Sequence, residues 1–154
     1  MKEKLRKAFL IETIINFCTS GVLNALCAWL INKQMSFVDV NIWSSMVDLY
    51  ITAHCTSLLT VFFSHSSAKR YCRLGAYTEG SFFAGFAKNP LLLGLLVGDI
   101  SFIIGAVLVN VLFALLHVSV LPLYGFVVYK GFFGALTGAA TANIALQRFM
   151  LKDK

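Results

Sequence analysis

Two opposite charges stand inside long apolar stretches of the sequence, Asp48 in the second stretch and Lys130 in the last. A charged side chain at the centre of a membrane helix costs about 2.5 to 3.5 kcal/mol on the lower estimates, so it is expected to face a partner or a water-filled cavity. We therefore predict that Asp48 and Lys130 pair with each other. Such a pair fits a solute- or ion-binding site whose charges separate and re-pair, or else a static ion pair between two helices.

Further polar side chains extend this pattern into two layers. Asn24 and Asn110 have a similar depth to Asp48 and Lys130, which predicts an outer cluster of these four residues that binds a substrate or ion. A second, inner cluster is predicted nearer the cytoplasm from Glu12, Asn16, Asp99 and Asn143. Buried carboxyl groups hold protons more readily because desolvation disfavours their charged form, so Glu12 and Asp99 are the candidates for proton coupling.

His54 is a secondary candidate, as are Asn16 and Asn143. It points about 120° away from Asp48 on a helix of 3.6 residues per turn, so it must contact a different surface. No partner for it is evident from the sequence. His54 and Cys55 are adjacent and project about 100° apart, so they cannot readily hold one metal ion together.

Metal, cofactor and catalytic sites have little support. The four cysteines show no Cys-x-x-Cys spacing, and no nucleophile motif or phosphate-binding loop is present. We therefore expect no metal, no cofactor and no enzymatic activity.

The elements that position these residues are membrane helices. The 154-residue chain is 58% hydrophobic and only 13% charged, whereas soluble domains are about a quarter charged. About 20 residues of helix cross a hydrocarbon core of about 30 Å. Four runs are long enough, over residues 8–31, 43–65, 91–116 and 123–147, and their continuous apolar character excludes barrel strands. The predicted fold is an all-α integral membrane protein with four transmembrane helices in a single domain.

The charge distribution predicts the orientation. Eleven of the 13 Lys and Arg residues lie before the first run, between the second and third, or after the fourth, and only Lys33 lies in the opposite connections. Because cytoplasmic loops are enriched in Lys and Arg, both termini are predicted to be cytoplasmic, in a cell membrane of the bacterial cytoplasmic type. This bias also explains the net charge of +6 without a nucleic-acid partner.

The two halves of the chain, residues 8–70 and 91–149, resemble each other weakly. The segment from Asn24 to Leu30 aligns with that from Asn110 to Leu116, and Asp48 aligns with Lys130. A duplicated pair of helices would give a parallel tandem repeat of two helical hairpins. The alternative is chance similarity between apolar helices.

Glycine-rich faces on the third and fourth runs predict close helix packing. They carry Gly94 and Gly98, and Gly131, Gly134 and Gly138, and we expect a homodimer or a larger membrane complex to form through them. The function predicted is a small carrier or channel in the lipid bilayer for an unidentified small solute or ion, with Glu12 and Asp99 as the groups that would couple it to protons. The alternative is a non-transporting accessory or assembly subunit whose buried polar residues are structural.

Overall fold

The computed structural model describes residues 2–78 and 80–152, without the side chains of residues 2–4. Lys154 and the side chains of Lys2 and Lys4, which contribute to the predicted charge bias, lie outside the described residues. The described chain is all-helical apart from short segments, with four long helices: α1 (Lys2–Asn32), α2 (Ile42–Arg73), α3 (Pro90–Leu115) and α4 (Leu123–Phe149). The predicted number of helices is therefore confirmed.

The helix ends differ most from the prediction at α2, which continues eight residues beyond position 65. The polar residues after position 65 lowered the apolar signal, but a helix can leave the hydrocarbon region without ending there. The other starts and stops carry local signals. Asn41 and Asn89 accept hydrogen bonds from the first turns of α2 and α3, and Pro90 occupies the first turn of α3, where its missing N–H costs nothing.

Within the described residues, three helices are long and apolar enough to cross a membrane: Leu5–Asn32, Ile42–Arg73 and Pro90–Leu115. Many of their large apolar side chains face outward, including Trp43 near the start of α2. Outward apolar side chains are expected where lipid, rather than water, surrounds a bundle. α4 has a more mixed composition, because Gly, Ala and Thr replace many of the larger apolar residues.

The four helices pack as two pairs. α1 lies along α4, α3 lies along α2, and the pairs meet where α2 contacts α4. Helices that follow each other directly in the chain, α1 with α2 and α3 with α4, touch only slightly. Because each helix packs on a helix of the other hairpin, one groove remains between α1 and α2 and another between α3 and α4.

A short β-ladder closes one end of the bundle, called the ladder end below. β1 (Phe37–Asp39) pairs antiparallel with β2 (Val120–Pro122), with Val38 opposite Leu121. The sequence prediction did not include these strands. They tie the α1–α2 connection to the α3–α4 connection and so hold the two helix pairs together.

The opposite end, called the termini end, holds the start of α1, the end of α4 and the connection between α2 and α3. Ala68, Leu146 and Met150 form a small core there, and Leu5 and Phe9 pack against it. Phe82–Gly85 forms one 3₁₀ turn, and the buried Arg148 donates from Nε to the carbonyl oxygen of Phe86 at 2.7 Å.

The tandem repeat stays a prediction, although the ladder has a matching symmetry. A shift of 83 positions carries Phe37 onto Val120 and Asp39 onto Pro122, so exchanging the two strands reproduces the same ladder. The helix contacts follow this exchange in topology but not in register. The same shift carries the Gly21–Ala135 contact between α1 and α4 onto Ile104 and Thr52, whereas the close glycine contacts between α3 and α2 are those of Gly98 with His54 and Gly94 with Leu58.

The glycine-rich faces lie inside the chain. A Cβ atom at Gly131 would approach Cβ of Ala25 at 3.2 Å, and one at Gly94 would approach Cα of Leu58 at 3.1 Å. The glycines of α4 thus pack against α1, and those of α3 against α2. These glycines therefore make close contacts within the chain, and the predicted homodimer or larger membrane complex stays a prediction.

Candidate functional site

The structure brings Asp48 of α2 and Lys130 of α4 together. Nζ of Lys130 donates to Oδ2 of Asp48 at 2.7 Å. Nζ also donates to the hydroxyl of Thr52, which itself donates to the backbone carbonyl of Asp48 at 2.7 Å. Thr52 lies one turn after Asp48, so its hydroxyl supports the same ammonium group. The Lys130 side chain is 6% exposed and the Asp48 side chain 33% exposed.

Two hydroxyl groups that the sequence reasoning missed lie beside this pair. Tyr129 and Ser45 are near Asp48 and near each other, and both hydroxyl oxygens are buried. Their positions in the sequence indicate both residues. Tyr129 adjoins Lys130 in sequence, and Ser45 precedes Asp48 by three residues, a spacing that places two side chains on one helix face.

The groove between α1 and α2 has a volume of about 600 Å³, and neither Asp48 nor Lys130 is among its lining residues. At the ladder end it is lined by Cys27 and Cys55, which are neighbours of Lys130. At the termini end it is lined by Glu12 and Arg70. Glu12 and Cys27 are 15 positions apart, which corresponds to about 22 Å of helix. The groove thus covers most of the thickness of a hydrocarbon core.

The termini end of the groove contains a second ion pair. The buried carboxylate of Glu12 lies 3.6 Å from a guanidinium nitrogen of Arg70 and accepts a hydrogen bond from the Tyr71 hydroxyl at 3.3 Å. Sequence reasoning missed both partners because it ended the second helix at residue 65. Reading Arg70 and Tyr71 as continuing that helix would have placed them near Glu12.

Amide and hydroxyl side chains line the groove between its two ends. Asn24 donates from Nδ2 to the Thr56 hydroxyl at 3.0 Å and so joins α1 to α2 across the floor of the groove. Asn16 donates to the backbone carbonyl of Glu12 at 2.8 Å. Near it, Asn143 of α4 donates to the hydroxyl of Thr13 at 2.7 Å. The inner layer therefore brings Glu12, Asn16 and Asn143 close together.

Asp99 does not belong to that inner layer, which corrects the predicted cluster. Oδ1 of Asp99 lies 3.1 Å from Nε2 of His54, across the contact between α2 and α3. His54, for which the sequence indicated no partner, thus has one. The approach depends on Gly98, because a Cβ atom there would lie 2.9 Å from Cδ2 of His54.

Asn110 does not join the outer cluster with Asp48, Lys130 and Asn24. Its Nδ2 donates to the backbone carbonyl of Ala106 in its own helix at 2.8 Å. The prediction placed it by depth alone, but α3 packs against α2 and hardly touches α1 or α4. Equal depth in the membrane does not bring residues together when their helices are not neighbours.

The candidate site therefore consists of the α1–α2 groove, the Asp48–Lys130 pair behind its ladder end and the Glu12–Arg70 pair at its termini end. No group of three or more potential metal-ligating His, Cys, Asp or Glu residues occurs among residues 2–78 and 80–152. No protein-family model matches the chain, and no curated protein and no solved structure is significantly similar to it.

Proposed function

We propose that this chain is a small transport-type integral membrane protein, a carrier or channel whose solute path is the α1–α2 groove. The observation that carries this proposal is the lining of the groove. A cavity of about 600 Å³ follows two membrane-length helices, and polar side chains occur along its length among apolar ones such as Ile15, Leu23, Leu59 and Phe63. Polar groups inside a membrane bundle are expensive and commonly mark solute or ion pathways.

The two ion pairs give the path a site near each end. Asp48 is only partly buried although its partner Lys130 is enclosed, so an entering cation can compete for the carboxylate. At the other end, Arg70 is largely exposed while Glu12 is buried, so the carboxylate of Glu12 faces the groove with a replaceable partner. Glu12 lines the path and Asp48 lies near its ladder end, and two carboxylates so placed favour a cationic solute, an inorganic cation or a proton.

In this proposal α4 forms the fourth span, and both termini and the α2–α3 connection are cytoplasmic. α4 is 27 residues long, enough to cross, and it packs along α1. Its Gly, Ala and Thr residues are less apolar than Leu or Ile, which lowers the apolar signal of the helix. Small residues of this kind allow close packing between membrane helices. The ladder end, with Lys33 as the basic residue of its two connections, then faces outward.

A non-transporting accessory subunit is the second candidate. Its support is that groove-lining polar groups already have partners within the bundle, as Asn24 has in Thr56 and Asn16 has in the Glu12 carbonyl oxygen. The Asn16 bond lies within α1, whereas the Asn24 bond is interhelical, and interhelical hydrogen bonds stabilise membrane bundles by roughly 0.6 to 2 kcal/mol. A bundle of this design needs no solute.

Cysteine labelling distinguishes a water-filled groove from a static, lipid-filled one. Cys27 and Cys55 line the groove, whereas Cys18 is also exposed on α1 but does not line it. Thiols react as thiolates, which form in water and not in hydrocarbon. We expect a charged thiol reagent to modify Cys27 and Cys55 in membranes, on a Cys72→Ser background, and to leave Cys18 unmodified. Equal protection of all three thiols would contradict the proposal.

Ligand binding provides the direct test. Purified protein is screened by thermal shift against inorganic cations, organic amines and organic anions. The proposal expects a cation or amine to raise the melting temperature, and Glu12→Gln or Asp48→Asn to remove that rise. Stabilisation by none of these classes, together with protected groove cysteines, would favour the accessory subunit.

A further inference from the structure

The hydrogen bonding of His54 determines where its ring protons lie. Nδ1 of His54 is 2.9 Å from the backbone carbonyl oxygen of Tyr50. A carbonyl oxygen can only accept, so this contact is a hydrogen bond when Nδ1 carries the hydrogen and donates it. A neutral imidazole has a single N–H group, so a neutral His54 would present Nε2 as an acceptor with no hydrogen.

Nε2, however, faces another acceptor. It lies 3.1 Å from Oδ1 of Asp99. An ionised carboxylate has no hydrogen to donate, and two acceptors at this distance repel each other unless a proton lies between them. The contact therefore requires either an imidazolium with a carboxylate, or a neutral imidazole with a carboxylic acid. Both forms contain one proton more than neutral histidine with ionised aspartate.

The position of Asp99 independently indicates the same proton. Asp99 lies nine residues into α3 and His54 twelve residues into α2, about 14 Å and 18 Å from the helix starts at opposite ends of the bundle. Both residues are thus near the middle of the membrane if α2 and α3 span it. The Asp99 side chain is 60% exposed there. An uncompensated carboxylate facing hydrocarbon is strongly disfavoured, whereas the protonated pair has no net charge.

We infer that His54 and Asp99 form a proton-binding dyad that holds a single shared proton between α2 and α3. Asp99 is the titratable group that α3 directs at the imidazole, and α2 itself supplies Tyr50, whose ring lies 4.2 Å from the imidazole. The charged pair that α4 contributes to, Lys130 with Asp48, lies about 9 Å away along α2 and faces another direction. The dyad is therefore separate from the ion pairs of the groove.

Loss of the proton has a structural consequence. Deprotonation leaves Nε2 and the Asp99 carboxylate facing each other as two acceptors, with a net negative charge next to lipid. The contact that Gly98 allows between α2 and α3 then becomes repulsive.

The proton can be observed directly in the full-length protein in lipid nanodiscs. His65→Gln and His117→Asn leave His54 as the sole histidine, and Asn suits the positive φ of 51° at position 117. Nitrogen-15 NMR of the labelled ring reports the protonation of both nitrogens, and infrared spectroscopy reports a carboxylic acid at Asp99. We expect at neutral pH either two protonated ring nitrogens, or a carboxylic acid band that Asp99→Asn removes.

The matched control is Asp99→Asn, whose amide can donate to Nε2 without a titratable proton. This variant should keep the α2–α3 contact and show Nε2 unprotonated. If it fails to fold, the spectra of the protein with Asp99 present still decide the question. A bare Nε2 together with an ionised Asp99 at neutral pH would overturn the inference, whatever the result of the transport tests.

Discussion

Nζ of Lys130 and Oδ2 of Asp48 lie 2.7 Å apart and join α4 to α2 where the two helix pairs meet. The two partners are not equally enclosed, because the Asp48 side chain is 33% exposed and the Lys130 side chain only 6%. The contact is also supported by the hydroxyl of Thr52, which accepts from the same ammonium group. The pair is thus a buried cation held by a carboxylate that remains accessible.

This asymmetry predicts unequal costs when either partner is removed. Asp48→Leu leaves the enclosed ammonium group of Lys130 without its carboxylate, whereas Lys130→Met leaves a carboxylate that water can still reach. Leaving a buried charge unpaired costs about 3 to 5 kcal/mol. We expect Asp48→Leu to fall in this range and Lys130→Met to cost less, as measured by unfolding in detergent. An equal loss of unfolding free energy in the two variants would contradict this prediction.

Exchange of the two charges separates a static pair from a binding site. Asp48→Lys combined with Lys130→Asp keeps both charges but exchanges their positions. If the protein transports a cation through this site, we expect folding to recover while ligand-induced stabilisation stays lost, because the accessible group is now positive. Recovery of folding and of cellular function together would show that the pair is structural.

The two outer asparagines should differ in their contribution to stability. Asn24 donates to Thr56 on a neighbouring helix, whereas the side-chain amide of Asn110 donates to Ala106 within its own helix. We expect Asn24→Ala to lower the free energy of unfolding by about 1 kcal/mol, the order of an interhelical hydrogen bond in a membrane. Asn110→Ala serves as the control and should be nearly neutral. The reverse order would contradict the observed packing.

The contact between α1 and α4 should be sensitive to one added methyl group. A Cβ atom at Gly138 would lie 2.8 Å from the backbone oxygen of Asn16, which cannot move without shifting α1. We expect Gly138→Ala to destabilise the protein by about 1 to 3 kcal/mol through overpacking. Gly85→Ala is the control, because no neighbouring atom lies within 4 Å of a Cβ atom there. Melting in detergent compares the two variants.

The proposed orientation predicts which connections face the cytoplasm. A fluorescent reporter that matures only in the cytoplasm should be active at either terminus, because the basic residues flank the termini end. Lys33, in the ladder-end connection, should react with an impermeant amine reagent applied from outside the cell. An inactive reporter at the carboxyl terminus alone would mean that α4 does not cross the membrane.

The sequence by itself determined the helices and the presence of a buried ion pair. Continuous apolar runs can satisfy their backbone hydrogen bonds in lipid only as helices, so the four helices followed from composition and length. Asp48 and Lys130 could be matched because two isolated opposite charges in apolar segments have few ways to avoid an unpaired burial. Both inferences depend on what hydrocarbon excludes, which is a property of the local sequence.

Only the tertiary structure decided which helices are neighbours. The sequence placed Asp99 near Glu12 and Asn110 near Lys130 by depth, but α3 packs against α2, so Asp99 meets His54 and Asn110 stays apart. The groove between α1 and α2 likewise exists because α1 packs on α4 and α2 packs on α3. Periodicity gives the face and depth of a residue on its own helix, whereas helix order depends on packing of small residues such as Gly98 against distant parts of the chain.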